Sequence, residues 1–479
     1  MHSKKSLFIF RRDLRLEDNT GLISALSHGG YVIPCFILDE QLLNTNSVKR
    51  KNNNAIQFLI ESLRDLDQQL KQKNSRLYLF FGKTHNIVKE LTGREDIDSV
   101  HFNEDYTVFS KRRDNGIYKI CNENSVKCFR YSDSLLIDHP RSIMQPLNER
   151  PYTIFTPFFN RALKTSVLKP QKNTYRNYSS GSRSSLAEEI EDRKKEDVYY
   201  QILETHNSKM YFKGGRSQCL KILKKIKKYQ DYHHKKDCPA ESATTGLSAH
   251  NKLGTCSIRE IYHTIKENLG NDSTLIRQLY WRDFFTYVGY HHPHVFKQPF
   301  RLKYTKLNWR NDPEKFRLWC NGKTGFPIVD AGMRQLNVTG FMHNRVRLIV
   351  ASFLTKDLHI DWRLGERYFA EKLVDYDPCV NNGNWQWAAS TGCDSQPYFR
   401  IFNPWLQQKK FDPQCKYIKM FVPELMNVPP DLIHNLYKNR RIVGLNLDYP
   451  LPIVDHKSER IISIRFYTFD KKLVNSRMA

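Results

Sequence analysis

The sequence lacks any run of about 18 apolar residues, the length that a membrane-spanning helix needs. Its first segment, MHSKKSLFIF, has neither the apolar core length nor the small-residue cleavage site of a signal peptide. We therefore expect a soluble, intracellular protein that does not associate with a membrane. The basic runs KILKKIKK and KNRR are typical of solvated helix faces, so they do not distinguish a nuclear from a cytoplasmic location.

Cysteine is sparse and unclustered, with ten residues spread from Cys35 to Cys415 and no CxxC pair among them. Disulfide scaffolds and structural zinc sites are usually marked by closely spaced cysteines. The pattern argues against both, and we expect reduced, mostly packed thiols and no bound metal.

Four common motifs of nucleotide binding and catalysis are also missing, namely GxGxxG, the P-loop, HExxH and GxSxG. The first apolar segment runs directly into RRDLRLEDN, where a dinucleotide-binding fingerprint would place its glycines. The usual nucleotide-binding, hydrolase and metalloprotease classes therefore have no support.

Acidic residues are outnumbered, since 50 Asp and Glu stand against 76 Lys and Arg and leave a formal net charge of +26. Such a charge attracts polyanions and speeds their encounter with the protein. Nucleic acid is the first partner to consider, and an anionic membrane surface is the second. A generally basic, solvated surface explains the charge equally well, so charge alone does not identify the partner.

Short apolar segments alternate with helical patterns near the start of the chain. The segments SLFIF, VIPCFIL, RLYLFF and VHFNE are typical of strands. The clearest helical pattern between them places six apolar residues on one face, namely Ile56, Leu59, Ile60, Leu63, Leu66 and Leu70. This alternation predicts an α/β domain with a doubly wound parallel sheet.

The length of 479 residues exceeds the size at which one hydrophobic core stops growing, so we expect two domains. Residues 1–135 form the predicted sheet domain, and 136–205, which contain the run EEIEDRKKED, form an interdomain connection. Residues 206–479 carry long helical patterns and all seven tryptophans, from Trp281 to Trp405. We predict a mainly α-helical second domain.

Three long segments in the second domain combine Asn, Asp, Arg and Trp at high density: TGFPIVDAGMRQL, NRVRLIVASFLTKDLHIDWR and NNGNWQWAASTG. For each residue alone, an ordinary helical core is the simpler explanation. Together they resemble the photolyase/cryptochrome family, and within it the class I cyclobutane pyrimidine dimer photolyases. The resemblance runs from FIFRRDLRLEDN to LDYPLPIVDH and so covers nearly the whole chain.

The resemblance implies an α/β antenna domain followed by a helical FAD-binding domain. It also implies a monomeric enzyme that binds UV-damaged DNA. Such an enzyme flips the pyrimidine dimer out of the duplex, because the reacting bonds cannot be reached inside the base stack. In this family, light-excited reduced FAD transfers an electron to the dimer and splits it. The alternatives are a photolyase for (6-4) photoproducts and a cryptochrome-type blue-light sensor without repair activity.

The resemblance implies a set of cofactor-binding residues. They are Tyr232, Thr244, Thr245, Gly246, Leu247, Ser248, Arg347, Asp375, Tyr376, Asp377 and Asn381. The resemblance implies that TTGLS binds the pyrophosphate and that Asn381 faces flavin N5. It also implies that Asp375 and Asp377 lie at the flavin edge, with Arg347 paired to Asp375. Taken alone, TTGLS is typical of a helix cap, and an Asp–Arg pair is typical of structural stabilisation.

Trp385, Trp362 and Trp309 resemble the three tryptophans through which this family photoreduces its flavin. Because sequence spacing does not establish spatial contact, a purely structural role for each of them stays open. The family's lesion-binding positions correspond to Gln278, Trp281, Arg282, Asn344 and Trp387.

Gln278 departs from the Glu that is usual in relatives specific for cyclobutane dimers, and Gln also occurs there in (6-4) enzymes. An amide cannot carry the charge of a carboxylate. The segment MHNRVRL lacks the histidine pair of those (6-4) enzymes, because Asn344 and Leu348 stand in the corresponding places.

The family often binds an antenna chromophore, commonly of the folate or deazaflavin type. The segment NEDYTVFSKRRD lies where antenna contacts usually occur, but Thr107 replaces the Glu of folate-type relatives. The presence and identity of an antenna therefore stay open.

Overall fold

The computed structural model describes residues 4–39, 52–94, 97–180, 199, 203, 205–241, 243–438 and 448–475. The chain divides into two compact units. The first unit comprises Met1–Ser208, Phe212–Gln230 and Thr245–Pro293, and the second comprises Lys209–Tyr211, Asp231–Thr244 and His294–Ala479. The domain limits predicted from the sequence stay a prediction.

The first unit contains a parallel sheet whose strand order is β3-β2-β1-β4-β5. Its strands are β1 (Lys5–Phe10), β2 (Tyr31–Leu38), β3 (Tyr78–Phe81), β4 (Ile97–Asn103) and β5 (Lys127–Tyr131). The central strands β1 and β2 are buried along nearly their whole length, which explains their unbroken apolar sequences. The predicted doubly wound α/β sheet is confirmed.

The helices follow the strands and then occupy most of the second half of the chain. They are α1 (Thr20–Ser27), α2 (Asn53–Lys71), α3 (Thr84–Arg94), α4 (Val108–Glu123), α5 (Phe155–Ala162), α6 (Arg216–Lys224), α7 (Tyr232–Lys235), α8 (Ser248–Leu253), α9 (Ile258–Leu269), α10 (Thr274–His291), α11 (Pro313–Cys320), α12 (Pro327–Thr339), α13 (Asn344–Ser352), α14 (Trp362–Lys372), α15 (Pro378–Ala388), α16 (Pro404–Phe411), α17 (Lys416–Phe421), α18 (Pro430–His434) and α19 (His456–Asn475). Short 3₁₀ turns lie at Pro140–Ser142, Ile226–Tyr229, Pro293–Phe296, Leu302–Lys306 and Pro423–Leu425, and a π-helical turn lies at Phe353–Asp357.

Two features of the first unit differ in detail from the sequence patterns. The amphipathic helix predicted around Ile56 is α2, although Leu59 on its predicted apolar face is only half-buried. Strand β5 has no counterpart among the predicted strands. Within the described residues, this strand, KCFRY, pairs with β4 alone at the sheet edge and stays half-exposed, so it lacks the apolar run of a central strand.

A buried charge network fixes the segment RRDLRLEDN after β1. Arg15 Nη2 lies 2.5 Å from Asp133 Oδ2, and Arg259 Nη2 lies 2.9 Å from Asp133 Oδ1. Arg259 Nε also lies 2.9 Å from Asp18 Oδ2, which in addition accepts a hydrogen bond from the Ser257 hydroxyl. Ser257 caps α9 and Arg259 belongs to it, so this network ties α9 to the sheet within the first unit.

The second unit is helical, as predicted for the C-terminal part of the chain. Its core is built around tryptophans and phenylalanines that include Trp319, Phe353, Trp362, Trp385 and Trp405. No helix in the described part of the chain combines the length and apolar character that crossing a bilayer demands.

We predict that Asp133→Asn lowers the free energy of unfolding by about 3–5 kcal/mol, because it removes one partner of a buried charge network. Burial alone raises the pKa of the Asp133 carboxyl, but Arg15 and Arg259 bring it well below its ordinary value. A depressed pKa means that this stabilisation is complete at neutral pH and is lost only as the solution becomes strongly acidic. Urea denaturation at neutral pH measures the change.

The Lys119–Glu123 pair on α4 supplies the control. Its N–O distance is 3.7 Å, and both side chains are exposed, so solvent screens their attraction. Lys119→Gln should leave the denaturation midpoint unchanged. Equal midpoints for Asp133→Asn and the unmodified protein would contradict the stabilising role of the buried network.

Candidate functional site

Helix α15 and the turn before it carry the densest group of predicted site residues. Asp377 Oδ1 accepts hydrogen bonds from Cys379 N at 2.9 Å and from Val380 N at 3.0 Å, and Pro378 occupies the first helical position. Both features are typical of a well-defined helix start. The position of Asn381 along the helix is therefore set by the cap at Asp377.

Asn381 lies buried on α15, where its amide is held in one orientation. Its Nδ2 donates to the carbonyl oxygen of Glu366 at 3.0 Å. This bond uses one of the two N–H groups of the amide, and the amide oxygen is available to accept a hydrogen bond from another direction. The site therefore presents a buried neutral acceptor at Asn381.

Arg347 on α13 pairs with Asp375 in the turn before α15. Its Nη2 lies 2.9 and 3.1 Å from the two Asp375 carboxylate oxygens, and its Nε donates to Met342 O at 2.7 Å. The Asp375 side chain is only 5% exposed. The structure thus brings together the Arg–Asp pair that the sequence analysis predicted.

An aromatic stack lies beside this pair and was not predicted from the sequence. The Arg347 guanidinium lies 5.6 Å from the Phe341 ring, and that ring stacks on Tyr211 with centroids 4.2 Å apart. Tyr211 N also donates to Thr339 O at 3.0 Å. No motif marked Tyr211, because it belongs to a short segment far from α12 and α13 in sequence.

His343 caps α13, the helix that carries Asn344 and Arg347. Its Nδ1 accepts a hydrogen bond from Arg345 N at 3.2 Å, which requires an unprotonated nitrogen. Burial lowers the pKa of His343 to about 4, so the imidazole is neutral at pH 7. Asn344 itself begins the helix and is exposed.

The three predicted relay tryptophans differ in burial. Trp362 and Trp385 are each only 2% exposed, whereas Trp309 is half-buried. The Trp385 ring contacts Phe369 at a centroid distance of 4.9 Å and Trp319 at 6.2 Å. Trp362 begins α14, which packs against α15.

Further aromatic contacts of these tryptophans were not predicted. Trp319, which is fully buried, was not assigned a role although it lies five residues before Thr324, the first residue of one of the recognisable segments. Trp309 packs against Phe466 at 5.2 Å and Tyr467 at 6.4 Å, both on α19. Helix α19 therefore covers part of Trp309.

The TTGLS stretch precedes α8 without forming the helix cap that was its simpler explanation. Leu247 is the capping residue, and no side chain among the described residues caps the helix. Gly246 adopts a positive φ of 70°, and Thr245 Oγ1 accepts from Leu247 N at 3.4 Å. The apolar capping residue Leu247 thus leaves the first amide groups of α8 without the acceptor that a Ser or Thr cap would supply, which suits an anion-binding segment.

Tyr232 and Thr244 belong to the second unit, whereas residues 245–248 belong to the first. Burial raises the pKa of Tyr232 to about 12, and the nearby Asp237 carboxylate acts in the same direction. The tyrosine therefore stays protonated and can donate a hydrogen bond at neutral pH.

Three of the predicted lesion contacts lie on α10 in the first unit. Gln278 is exposed, and Trp281 is half-buried with one ring face stacked on Phe155 at a centroid distance of 3.7 Å. Arg282 donates to Ser134 O at 2.7 Å and to Asn251 O at 3.3 Å. Its predicted phosphate contact stays a prediction.

The predicted lesion contact Trp387, on α15 of the second unit, is half-buried.

Phe155 begins α5 and was not predicted from the sequence, because its segment YTIFTPFF was assigned to the interdomain connection.

Among the described residues, no group of three or more His, Cys, Asp and Glu side chains is arranged to hold a metal ion.

Comparison with protein families gives one match in the N-terminal part of the chain and one in the C-terminal part. A family described as DNA photolyase matches residues 6–174, and one described as the FAD binding domain of DNA photolyase matches residues 275–468. The second range contains Arg347, Asp375 and Asn381, so the predicted FAD cofactor is confirmed at the level of the domain. Tyr232 and TTGLS lie outside it.

Full-length relatives give the same result. Two proteins named deoxyribodipyrimidine photo-lyase, from Alkalihalophilus pseudofirmus and Vibrio cholerae, are each 36% identical to this chain. Each alignment covers 96% of this chain, together with 97% of the first relative and 98% of the second. The archaeal photolyase from Sulfolobus tokodaii, solved with two FAD molecules, is 42% identical with a TM-score of 0.85, covering 97% of this chain and 99% of that one. A bacterial class III photolyase from Agrobacterium tumefaciens is 32% identical with a TM-score of 0.85 and covers 98% of both chains.

We predict that substitutions of Asp377 separate its structural role as a helix cap from its predicted role in binding the cofactor. Asp377→Ala removes the cap of α15 and should lower the free energy of unfolding by about 0.5–2 kcal/mol. Asp377→Asn keeps a capping oxygen and should preserve stability, but it removes the carboxylate and should lower FAD affinity several-fold. Thermal denaturation and the flavin content of the purified protein measure the two effects.

Asp312→Ala is the matched control, because Asp312 caps α11 through two backbone amides and is also followed by proline. It should reduce stability without reducing flavin content. Normal flavin affinity in Asp377→Asn would show that the carboxylate does not serve the cofactor.

Proposed function

The chain belongs to the DNA photolyase family, and we propose that it repairs cyclobutane pyrimidine dimers in DNA in a light-dependent reaction. The observation that carries the proposal is the arrangement on α15, where a single helix presents the oriented amide of Asn381 and the buried indole of Trp385. The full-length similarity to relatives named deoxyribodipyrimidine photo-lyase supports the same substrate class. The motifs favour class I, and the similar class III structure makes that class the alternative.

Bound FAD, in its reduced and light-excited form, would supply the electron that opens the cyclobutane ring, without net redox change. The residues of this chain fit such a group. The oxygen of the Asn381 amide suits the N5 position, and the Arg347–Asp375 pair suits the polar edge of the flavin ring. The uncapped amides at TTGLS suit the pyrophosphate, with Tyr232 as a further donor.

The tryptophans supply electrons from outside the cofactor site. We assign Trp385 as the inner donor, Trp362 as the next and Trp309 as the outermost. The increase in exposure from the two buried indoles to half-buried Trp309 supports this order. An electron that leaves Trp309 can be replaced by a reductant in solution, which keeps the positive charge from returning along the chain.

Lesion binding is assigned to Gln278, Trp281, Arg282, Asn344 and Trp387. Phe155 supports one face of Trp281, so the orientation of that indole is fixed before a dimer binds. The excess of Lys and Arg provides sequence-independent attraction to DNA phosphates, which weakens as salt concentration rises.

The proposal is tested by repair of DNA duplexes that carry one defined lesion. The purified protein, with its flavin chemically reduced, is incubated with a cyclobutane dimer or a (6-4) photoproduct, in blue light or in darkness, and lesion loss is followed by chromatography. We expect light-dependent loss of the cyclobutane dimer only. Repair of the (6-4) lesion would establish the first alternative, and no repair by the FAD-loaded protein would favour a light sensor.

Gln278→Glu tests the one departure at the lesion site. A carboxyl group can carry charge or share a proton where the amide cannot, so we expect the variant to split several-fold more dimers per absorbed photon. Asn268→Asp, which adds the same charge at an exposed position of α9, is the control for a general effect on DNA affinity. An equal change in both variants would assign the effect to overall charge.

We also propose that the antenna chromophore is a second FAD rather than a folate or a deazaflavin. The proposal rests on the archaeal photolyase with two FAD molecules, to which this chain is 42% identical. Reconstitution with excess FAD, followed by acid release and quantification, should yield about two flavins per chain. One flavin per chain, or co-purification of a folate or deazaflavin, would contradict this proposal.

A further inference from the structure

Gly365 occupies the interior of α14, one helical turn after Trp362. Its backbone φ lies outside the positive range that favours glycine. Glycine within a helix is less stable than alanine because it has more conformational entropy to lose. Neither its backbone conformation nor its contribution to helix stability explains why glycine occupies this position.

The space around Gly365 explains it. A Cβ atom built on this residue would lie 2.2 Å from Trp385 Cη2 and 2.5 Å from both Trp385 Cζ3 and Leu354 Cδ2. Such distances are far below van der Waals contact, so the indole of Trp385 rests directly on the backbone of α14. Any side chain at position 365 would displace it.

Trp385 also has little room for adjustment on its other sides. Phe369, one turn further along α14, meets its ring edge-on at a centroid distance of 4.9 Å. Trp319 meets it at 6.2 Å with an interplanar angle of 69°. Because Trp319 and Phe369 are themselves buried, a shift of Trp385 would propagate into the core.

The contact with α14 also relates Trp385 to Trp362. Residues three positions apart in a helix lie on neighbouring parts of one face. The indole that rests on Gly365 is therefore held one turn from the residue that carries the next proposed donor. Electron tunnelling slows exponentially with distance, so even a small displacement of the ring would slow transfer between these two tryptophans.

We infer that Gly365 is a positioning residue, which seats Trp385 against α14 and so sets the distance across which Trp362 passes an electron to it. This inference rests on the proposed electron-transfer role of the two tryptophans. In this step one electron leaves Trp362 and reduces the oxidised Trp385, and no bond forms or breaks.

The test is Gly365→Ala in the FAD-loaded protein. Two rates are compared, the photoreduction of oxidised flavin with an external reductant and the repair of a cyclobutane dimer after chemical reduction of the flavin. We expect photoreduction to slow several-fold and to fall more than repair does, because repair by the chemically reduced protein does not use the relay. Equal changes in the two rates would contradict the inference.

Gly332→Ala is the matched control. Gly332 lies inside α12 in the same unit, and its added Cβ would meet Val346 Cγ1 at 2.4 Å but no relay tryptophan. A comparable disturbance of packing should therefore change photoreduction no more than repair. A selective loss of photoreduction in this control would overturn the interpretation of Gly365→Ala.

Trp385→Phe separates the inference from the function on which it rests. If this variant photoreduces normally, the proposed relay is wrong. If it loses photoreduction while Gly365→Ala keeps it, the relay stands and the role of Gly365 is wrong.

A double-mutant cycle gives a readout that does not depend on electron transfer. Gly365→Ala should lower the melting temperature less in the Trp385→Phe background, because the ring atoms that the new Cβ meets are then absent. Equal losses in both backgrounds would contradict the seating of Trp385. If Gly365→Ala fails to fold, recovery of folding in the double variant supports the inference, and failure of both contradicts it.

Discussion

The contact between the Trp385 indole and the backbone of α14 is the constraint on which the arrangement of the second unit depends. It brings α15 so close to α14 that Asn381 can donate to the Glu366 carbonyl, one residue beyond Gly365. The same contact lets the buried aromatic groups Phe369 and Trp319 enclose the indole. One close helix approach thus orients the amide assigned to the flavin and the tryptophan assigned to its photoreduction.

Charge plays different roles in the two units. In the first unit, Asp133 joins Arg15 to Arg259 and so connects the segment after β1 to α9. In the second unit, Arg347 and Asp375 form a partly buried pair beside residues assigned to FAD. Burying paired charges is costly, but once both are buried, removing one partner leaves the other uncompensated, so each pair holds the segments that carry it in place.

The aromatic contacts show how supporting residues prepare the assigned functional residues. Phe155 covers one face of Trp281, and Tyr211 supports Phe341 beside Arg347. In both cases a side chain from outside the recognisable motifs restricts the movement of a residue within or beside one. Pre-organisation of this kind reduces the ordering cost of binding a ligand.

The sequence by itself determined the alternation of strands and helices, the family and the chemical types of most site residues, since periodicity and motif order are local properties of the chain. It did not reveal β5, whose exposed edge position removes the apolar pattern, nor the carbonyl partners of Arg282. Only the tertiary structure decided that Phe155 stacks on Trp281, that Tyr211 stacks on Phe341 and that Gly365 makes room for Trp385. These contacts join residues that are far apart in sequence or depend on the absence of a side chain, so their geometry arises from packing and cannot be inferred from local patterns.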